Sequence, residues 1–569
     1  MSIKIKNSLH IYFLSFLTGI ITGLFVILFS KILIFCERLF HFDQIPFNNL
    51  YSFELNWFSL ILPVLGGILV GLITHYYCPE AKGNGIDGLL DAFHNQNGEI
   101  RGRISIFKAI VTILTLSSGG SAGKEGPSAQ IGASIGSKIN NVFGGGARAR
   151  RTLLLAGAAA SLGTIFQAPL GGAITAIEMV YKEDIESDAL IPAIISSVSA
   201  YFLLSFFGFV HRDLFTLSEL SPKYLPLYPI LGIICFFVGL ILVKLIQKVK
   251  LFFINWKIYP PFKPAIGGLV CGIVYLFFPV VAGTGETYLQ DFLLKPETYT
   301  AIPKIEMIQF ALFVIGFKIL ATSFTIGSGG SGGIFGPSLF LGGTIGMFVA
   351  EIAGLFYNLD PQHYKSFILV GMGAFYAGVA SAPIAAMIMV CEMVGNYVLL
   401  PPLMFCSIVA FLLSRKLNLY QGQILDRFHS PAHHWDIQTD ILRTMPIYHY
   451  KTYLHNSAVI KITQSIRKIK KQALERDEKD FIALDRKGNY IGIISTLQIM
   501  QLDEKTKVNL QDYVEKIPAI TLRQNLGEAL DLLLTNNLDK AAVIDDEKNF
   551  LGYIRYQEIL ELYFSKLRK

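Results

Sequence analysis

A chain of 569 residues, 52% hydrophobic and only 16% charged, with a mean hydropathy of +0.49, does not have the composition of a soluble protein. Soluble domains carry about 25% charged residues, and a deficit of this size marks a chain that lies in lipid. The formal net charge of +7 does not argue for a nucleic-acid partner, because basic loops on one side of a membrane account for it.

The N-terminal residues carry Lys4 and Lys6 ahead of an apolar run from Leu9 to Phe35. That run is too long for a signal-peptide core, and no small-residue cleavage site follows it. It reads as a first membrane helix that starts in the cytoplasm. Further apolar segments lie at 56–77, 104–117, 127–142, 152–181, 188–209, 224–247, 264–281, 305–326, 336–357, 366–397 and 399–414. Several are shorter than the ~20 residues that span a bilayer. Glycine-rich polar patches interrupt them: GNG at 83–85, SSGGSAGKEGPS at 117–128 and GSGGSGGIFGPS at 327–338. Irregular backbone at membrane depth is tolerated only where it is buried in protein or lines a wet cavity. Broken segments in corresponding positions of two halves point to a transporter's binding site.

The two halves are visible within the chain itself. GGSAGKEGPSAQIG (119–132) matches GGSGGIFGPSLFLG (329–342) at an offset of 210. APLGGAITAIEM (168–179) then matches APIAAMIMVCEM (382–393) at an offset of 214, with Glu-Met closing both. Two ordered matches at nearly equal offsets predict an internal repeat of roughly 9–210 and 215–428. The six cysteines (Cys36, Cys78, Cys235, Cys271, Cys391, Cys406) have neither CxxC nor metal spacing and read as small apolar residues.

From about His429 the texture changes. FIALDRKGNYIGIIS (481–495) reads as strand, turn at Lys487-Gly488, strand; KAAVIDDEKNFLGYIR (540–555) reads alike, turning at Asp545-Asp546. Helical patterns follow at Leu497–Leu502 and Tyr556–Lys566. The chain therefore divides into a membrane domain at 1–428, a linker at 429–438 and a soluble α/β tandem at 439–569. His433-His434 in the linker reads as a solvated pair rather than a ligand.

An anion crossing a bilayer must exchange water for donors that carry little full charge. Helix N-termini supply free N–H groups and about half a positive charge. Glycine lets backbone approach the ion, and Pro127 and Pro337 sit where a first-turn proline starts a helix. Glu125 is a carboxylate inside such a glycine patch, which makes it functional by default. It can fill an anion seat when charged and leave it when protonated. The plainer alternative is a surface glutamate paired with Lys124.

At these residues the chain resembles the CLC family of chloride channels and chloride/proton exchangers. GKEGP (123–127) resembles the family's gating-glutamate motif, and GIFGP (333–337) its second pore motif. GNGID (83–87) lies where the family has Gly-Ser-Gly-Ile-Pro, and Tyr420 in LYQGQIL resembles the pore-lining tyrosine. The resemblance covers about 9–428, and the tail resembles the family's paired CBS domains. It implies an all-α polytopic membrane domain of two antiparallel, inverted-topology repeats with broken helices, followed by a cytoplasmic α/β tandem CBS domain.

The resemblance further implies Glu125 as the gate. It implies an anion-binding set of Asn84, Gly85, Gly123, Lys124, Gly126, Gly333, Ile334, Phe335 and Tyr420. Two departures stand out. Asn84 offers an amide where the family has a hydroxyl, and Asp87 replaces a proline, capping a helix while adding negative charge. At the place of the exchangers' inner proton acid stands Met179, with the acid one residue earlier at Glu178. The reading leans to chloride flow with weak or no proton coupling. A chloride/proton antiporter using Glu178 or a water path stays open. A membrane sensor or enzyme signalling through the tail is the reading from another class, but no metal-spaced His/Glu set, nucleophile elbow or P-loop supports catalysis. The family further implies a homodimer, small inorganic anions as cargo, and a plasma or bacterial inner membrane with the tail cytoplasmic. Adenine nucleotide is the expected tail ligand, if any, with Gln498 and Glu558 at the ribose-binding positions.

Overall fold

The computed structural model describes residues 2–40, 57–208, 222–294, 303–417, 419–433, 442–443, 445–476, 478–502, 509–536, 538–545, 547 and 549–567. The chain separates into two compact units, Met1–Ala432 and His433–Lys569.

The first half of the first unit contains α1 (Ser2–Phe40), α2 (Trp57–Tyr76), α3 (Ile86–Asn95), α4 (Arg103–Ser117), α5 (Glu125–Val142), α6 (Ala147–Phe166), α7 (Pro169–Glu178) and α8 (Leu190–Phe206). Its second half contains α9 (Leu227–Asn255), α10 (Lys263–Phe277), α11 (Glu286–Leu294), α12 (Lys304–Gly327), α13 (Phe335–Phe356), α14 (Pro361–Ala380), α15 (Pro383–Val394) and α16 (Leu400–Ser414). Eight helices among the described residues are long and apolar enough to cross a bilayer. Their outward faces are large and apolar, including Phe13, Leu28, Phe202, Phe237 and Phe405. That is the surface lipid requires.

Two expected single segments are in fact broken. The run 152–181 divides into α6 and α7 at Gln167, and 366–397 into α14 and α15 at Ser381; both residues are left-handed, with φ 55°. The Ala-Pro that follows each cannot continue the preceding helix, and Pro169 and Pro383 open the next one. The short α3 begins where a helix start was expected at Asp87, whereas α11 was not expected, because it is too polar to stand out as an apolar run. His434 and Asp546 lie outside the described residues.

The repeats meet through contacts that come in exchanged pairs. The Ser121 hydroxyl bonds Thr322 (2.9 Å), and Ser331, its repeat mate, bonds Thr112 (3.1 Å). The Ser121 amide donates to Thr325 (3.1 Å), and the Ser331 amide to Thr115 (3.2 Å). Such reciprocity is what a two-fold relation between halves produces. Glycines set the helix spacing equally in both halves. A Cβ on Gly132 would lie 2.1 Å from the Gly157 carbonyl, and one on Gly342 would lie 2.3 Å from that of Gly371.

The second unit holds two three-stranded sheets. In the first, β1 (Val459–Lys461) pairs parallel with β2 (Asp480–Leu484), which pairs antiparallel with β3 (Tyr490–Ser495). Helices α17 (Ile466–Arg476) and α18 (Thr496–Gln501) belong to it. In the second, β4 (Ile520–Thr521), β5 (Lys540–Ile544) and β6 (Phe550–Arg555) repeat the order, with α19 (Leu526–Thr535) and α20 (Tyr556–Leu567). Both hairpins match the reading of the sequence; the short parallel strands β1 and β4 carry too few residues to announce themselves. Asp485 closes its turn by accepting from the amides of Lys487 (2.7 Å) and Asn489 (2.8 Å).

Candidate functional site

Three glycine loops meet at the centre of the first unit. Gly123 and Gly333 exchange both main-chain bonds (2.7 and 2.6 Å), and Gly83 bonds Gly330 (3.2 Å) and Gly332 (3.3 Å). The loops touch backbone to backbone. A Cβ on Gly126 would lie 2.4 Å from the Asn84 carbonyl, and one on Gly333 would lie 2.8 Å from the Gly126 nitrogen. These glycines are required because the loops pack on one another. The expected set is corrected accordingly: the Gly123 and Gly333 amides are spent on each other and are not ion donors. First-turn amides at Gly126, Ile334 and Phe335 remain, since the opening residues of a helix have no intrahelical partner.

Glu125 opens α5 and is 2% exposed. Its Oε2 accepts from the Gly336 amide of α13 at 3.1 Å, so the carboxylate of one repeat sits on the helix start of the other. Sequence reasoning missed Gly336, although it is the repeat mate of Gly126. Phe335 lies between the rings of Phe166 (centroids 4.4 Å apart) and Tyr376 (4.0 Å). Tyr420 is buried, within electrostatic reach of both Asp87 and Glu125, and its hydroxyl has no hydrogen-bond partner among the described residues.

The Lys124 ammonium, expected at the ion, instead pairs with Glu286 at 2.8 Å. Glu286 opens α11 and lies 162 residues away in sequence, which hid the pair. Asn84 also departs from expectation. Its Nδ2 donates to Asp87 Oδ2 (3.1 Å) and its Oδ1 accepts the Asp87 amide (3.0 Å), a reciprocal cap at the start of α3. The N-x-x-D spacing carried that signal.

Two cavities flank the loops. One of about 280 Å³ is lined by Lys124, Glu125, Glu286, Gly336 and Glu392. The other, of about 560 Å³, is lined by Lys82, Asn84, Gly85, Asp87 and Ile334. Two buried lysines brace this centre. Lys108 donates to the carbonyls of Ala81 (2.9 Å) and Gly83 (2.8 Å); Lys318 donates to those of Val281 (3.1 Å) and Gly283 (2.8 Å). Lysines in apolar helices at the offset of the glycine motifs were a readable signal.

Glu178 and Glu392 form a second exchanged pair. Glu178, 5% exposed, accepts from the amides of Ile384 (3.0 Å) and Ala385 (2.6 Å) at the start of α15. Glu392 accepts from Leu170 (3.3 Å) and Gly171 (2.7 Å) at the start of α7. Equivalent helices capping each other end to start run antiparallel, as inverted repeats must. Met179 is buried, and its carbonyl accepts from Gln423 (3.0 Å). In the tail, Gln498 is exposed, whereas Glu558 accepts the Arg555 amide (2.8 Å) and pairs with His455.

A sequence profile described as voltage gated chloride channel matches residues 66–415, and one described as CBS domain matches 511–565. The voltage-gated ClC-type chloride channel ClcB of Salmonella typhi is 31% identical over 372 residues, covering 64% of this chain and 85% of that protein. Chloride channel protein CLC-e of Arabidopsis thaliana is 30% identical over 418 residues, covering 68% of this chain and 57% of that protein. Among solved structures, a slow cyanobacterial Cl⁻/H⁺ antiporter has a TM-score of 0.62 at 23% identity, covering 72% of this chain and 96% of its own. A eukaryotic CLC transporter has a TM-score of 0.57 at 19% identity, covering 97% of this chain and 98% of its own. An inverted-repeat membrane unit with a carboxylate seated on a helix start, joined to a CBS unit, thus agrees with the profile match: the chain belongs to the voltage-gated chloride channel (CLC) family.

Proposed function

We propose that the membrane unit carries small inorganic anions, chloride first among them, between the two cavities and past the glycine loops, with Glu125 as the gate. The observation that carries this reading is the Glu125 carboxylate on the Gly336 amide. A negative side-chain group there occupies a seat built for an anion, between two cavities of about 280 and 560 Å³. The test is chloride efflux from liposomes holding the purified chain, with potassium and valinomycin balancing charge. Efflux no faster than from empty liposomes would sink the proposal.

On coupling, we favour channel-like flow. Both Glu178 oxygens are held by main-chain amides, and Met179 has no titratable proton. One observation favours the exchanger instead: Tyr376 lies within electrostatic reach of both Glu178 and Glu125, which would give a proton a stepping stone. The further readings are a homodimer and a cytoplasmic N-terminus and tail. For the tail, a nucleotide ribose reaching Glu558 would have to displace His455. Calorimetric titration of the full chain with ATP, ADP and AMP decides whether it does; no heat leaves the tail a structural unit.

Two expected results test the path. Tyr420→Ala removes the open hydroxyl donor and should weaken halide binding by about fivefold, the worth of one hydrogen bond. Equal binding by calorimetry would remove Tyr420 from the path. Glu286→Gln should leave Lys124 as an uncompensated cation at its mouth and lower the half-saturating chloride by about twofold at low salt. Adding Lys124→Gln should restore the original value.

A further inference from the structure

Tyr420 lies in a turn that is neither helix nor sheet, so its position must come from what the turn touches. Gly422 lies against α3, where an added Cβ would be 2.8 Å from Leu90 Cβ. The Ile424 carbonyl accepts from the Lys182 amide (3.0 Å), and the Leu425 carbonyl from Glu183 (3.1 Å). Between these contacts the Gln423 side chain is buried. Its Nε2 donates to the carbonyls of Met179 (3.0 Å), Ala380 (3.1 Å) and Tyr181 (3.4 Å). Gln421, nearer in sequence, is exposed, so water competes for its bond to Lys250 (2.9 Å).

Two of the three acceptors of Gln423 are helix ends. Ala380 is the last residue of α14, and Met179 follows the last residue of α7. Carbonyls in a last turn have no intrahelical partner and carry the negative end of the helix dipole. At membrane depth the protein itself must supply their donors. A glutamine amide supplies two N–H groups and no full charge. Because α7 belongs to the first repeat and α14 to the second, one side chain ties both halves to the Tyr420 turn. The Gln423 main-chain amide then donates to the Tyr420 carbonyl (3.2 Å), which passes that anchorage three residues back.

We propose that Gln423 is a positioning residue for the Tyr420 hydroxyl, and through it sets how tightly the path holds a halide beside that hydroxyl. Gln423 touches no ion itself. The proposal rests on the anion-transport reading above, in which Tyr420 stands within electrostatic reach of Glu125.

The test is calorimetric halide binding to the full chain in detergent, comparing the parent with Gln423→Met, Gln423→Asn, Tyr420→Phe and the double variant Gln423→Met/Tyr420→Phe. Gln423→Met keeps the length of the side chain without its donors. It should weaken binding about threefold, within the worth of one displaced hydrogen bond. Gln423→Asn, one methylene shorter, should fall between it and the parent. In the Tyr420→Phe background, Gln423→Met should add nothing, because a residue acting through the hydroxyl has nothing left to act on. A loss of equal size in both backgrounds would mean a structural role alone and overturn the proposal, as would parent-like binding in Gln423→Met. 3-Fluorotyrosine placed at 420 reports on position independently: its fluorine resonance should move in Gln423→Met, and an unmoved resonance counts equally against the proposal. If Gln423→Met does not fold, Gln423→Asn carries the same comparisons. If neither folds, Gln423 holds the fold rather than the hydroxyl, and the proposal is wrong. If the parent chain binds no halide, the transport reading fails separately, and the fluorine resonance alone decides this one.

Discussion

Glu125→Gln is expected to abolish the pH dependence of anion flux while leaving flux at acid pH unchanged. In the parent chain, flux should rise as the pH falls, because a protonated carboxyl gives up its hold on the helix start. If only the protonated form conducts, flux falls about tenfold per pH unit above the midpoint of the group. The physical basis is the Oε2 bond to the Gly336 amide at 3.1 Å. A charged acceptor on that amide is held about twice as strongly as a neutral one, and the positive end of α13 adds to the difference. A glutamine oxygen can accept the same bond without the charge, so an arriving chloride displaces it at any pH. Halide efflux across a pH series measures this directly. A folded glutamine variant that conducts nothing, or keeps the parent pH slope, would show that Glu125 is no gate.

The second large effect is expected on stability. Glu178→Ala leaves the Ile384 and Ala385 amides without acceptors inside the protein, at a cost of about 2–4 kcal/mol. Glu392→Ala strands Leu170 and Gly171 in the same way, but Glu392 is only half-buried and water offsets part of the loss. Thermal unfolding in detergent should therefore rank Glu178→Ala below Glu392→Ala, and both below the parent chain. Glu178→Gln keeps one oxygen acceptor and should fall between. The same variant addresses coupling. With an outward chloride gradient, the parent chain should move few protons per anion, and Glu178→Gln should not change the ratio. Strong uphill proton movement that disappears in a stably folded Glu178→Gln chain would make this residue the relay and the protein an exchanger.

Much of this protein is legible from residues in order. Glycine motifs at an offset of 210 disclosed two halves, a lone carboxylate in GKEGP marked Glu125 as the candidate gate, and two strand-turn-strand patterns disclosed the tail. Each is a local signal: composition, periodicity or a short motif records what a residue's near neighbours need. Even Asn84-x-x-Asp87 was local, and its capping geometry was there to be read alongside the resemblance to a pore serine. What the sequence left undecided is which distant groups meet. Nothing near Lys124 indicates that its charge is taken by Glu286, or that Gly123 spends its amide on Gly333. Nothing near Glu178 shows that it caps a helix that begins more than 200 residues later, while Glu392 returns the same cap. Those partners are chosen when two antiparallel halves close on each other. In a medium without water, every amide and charge left over from that closure must find its partner within the protein.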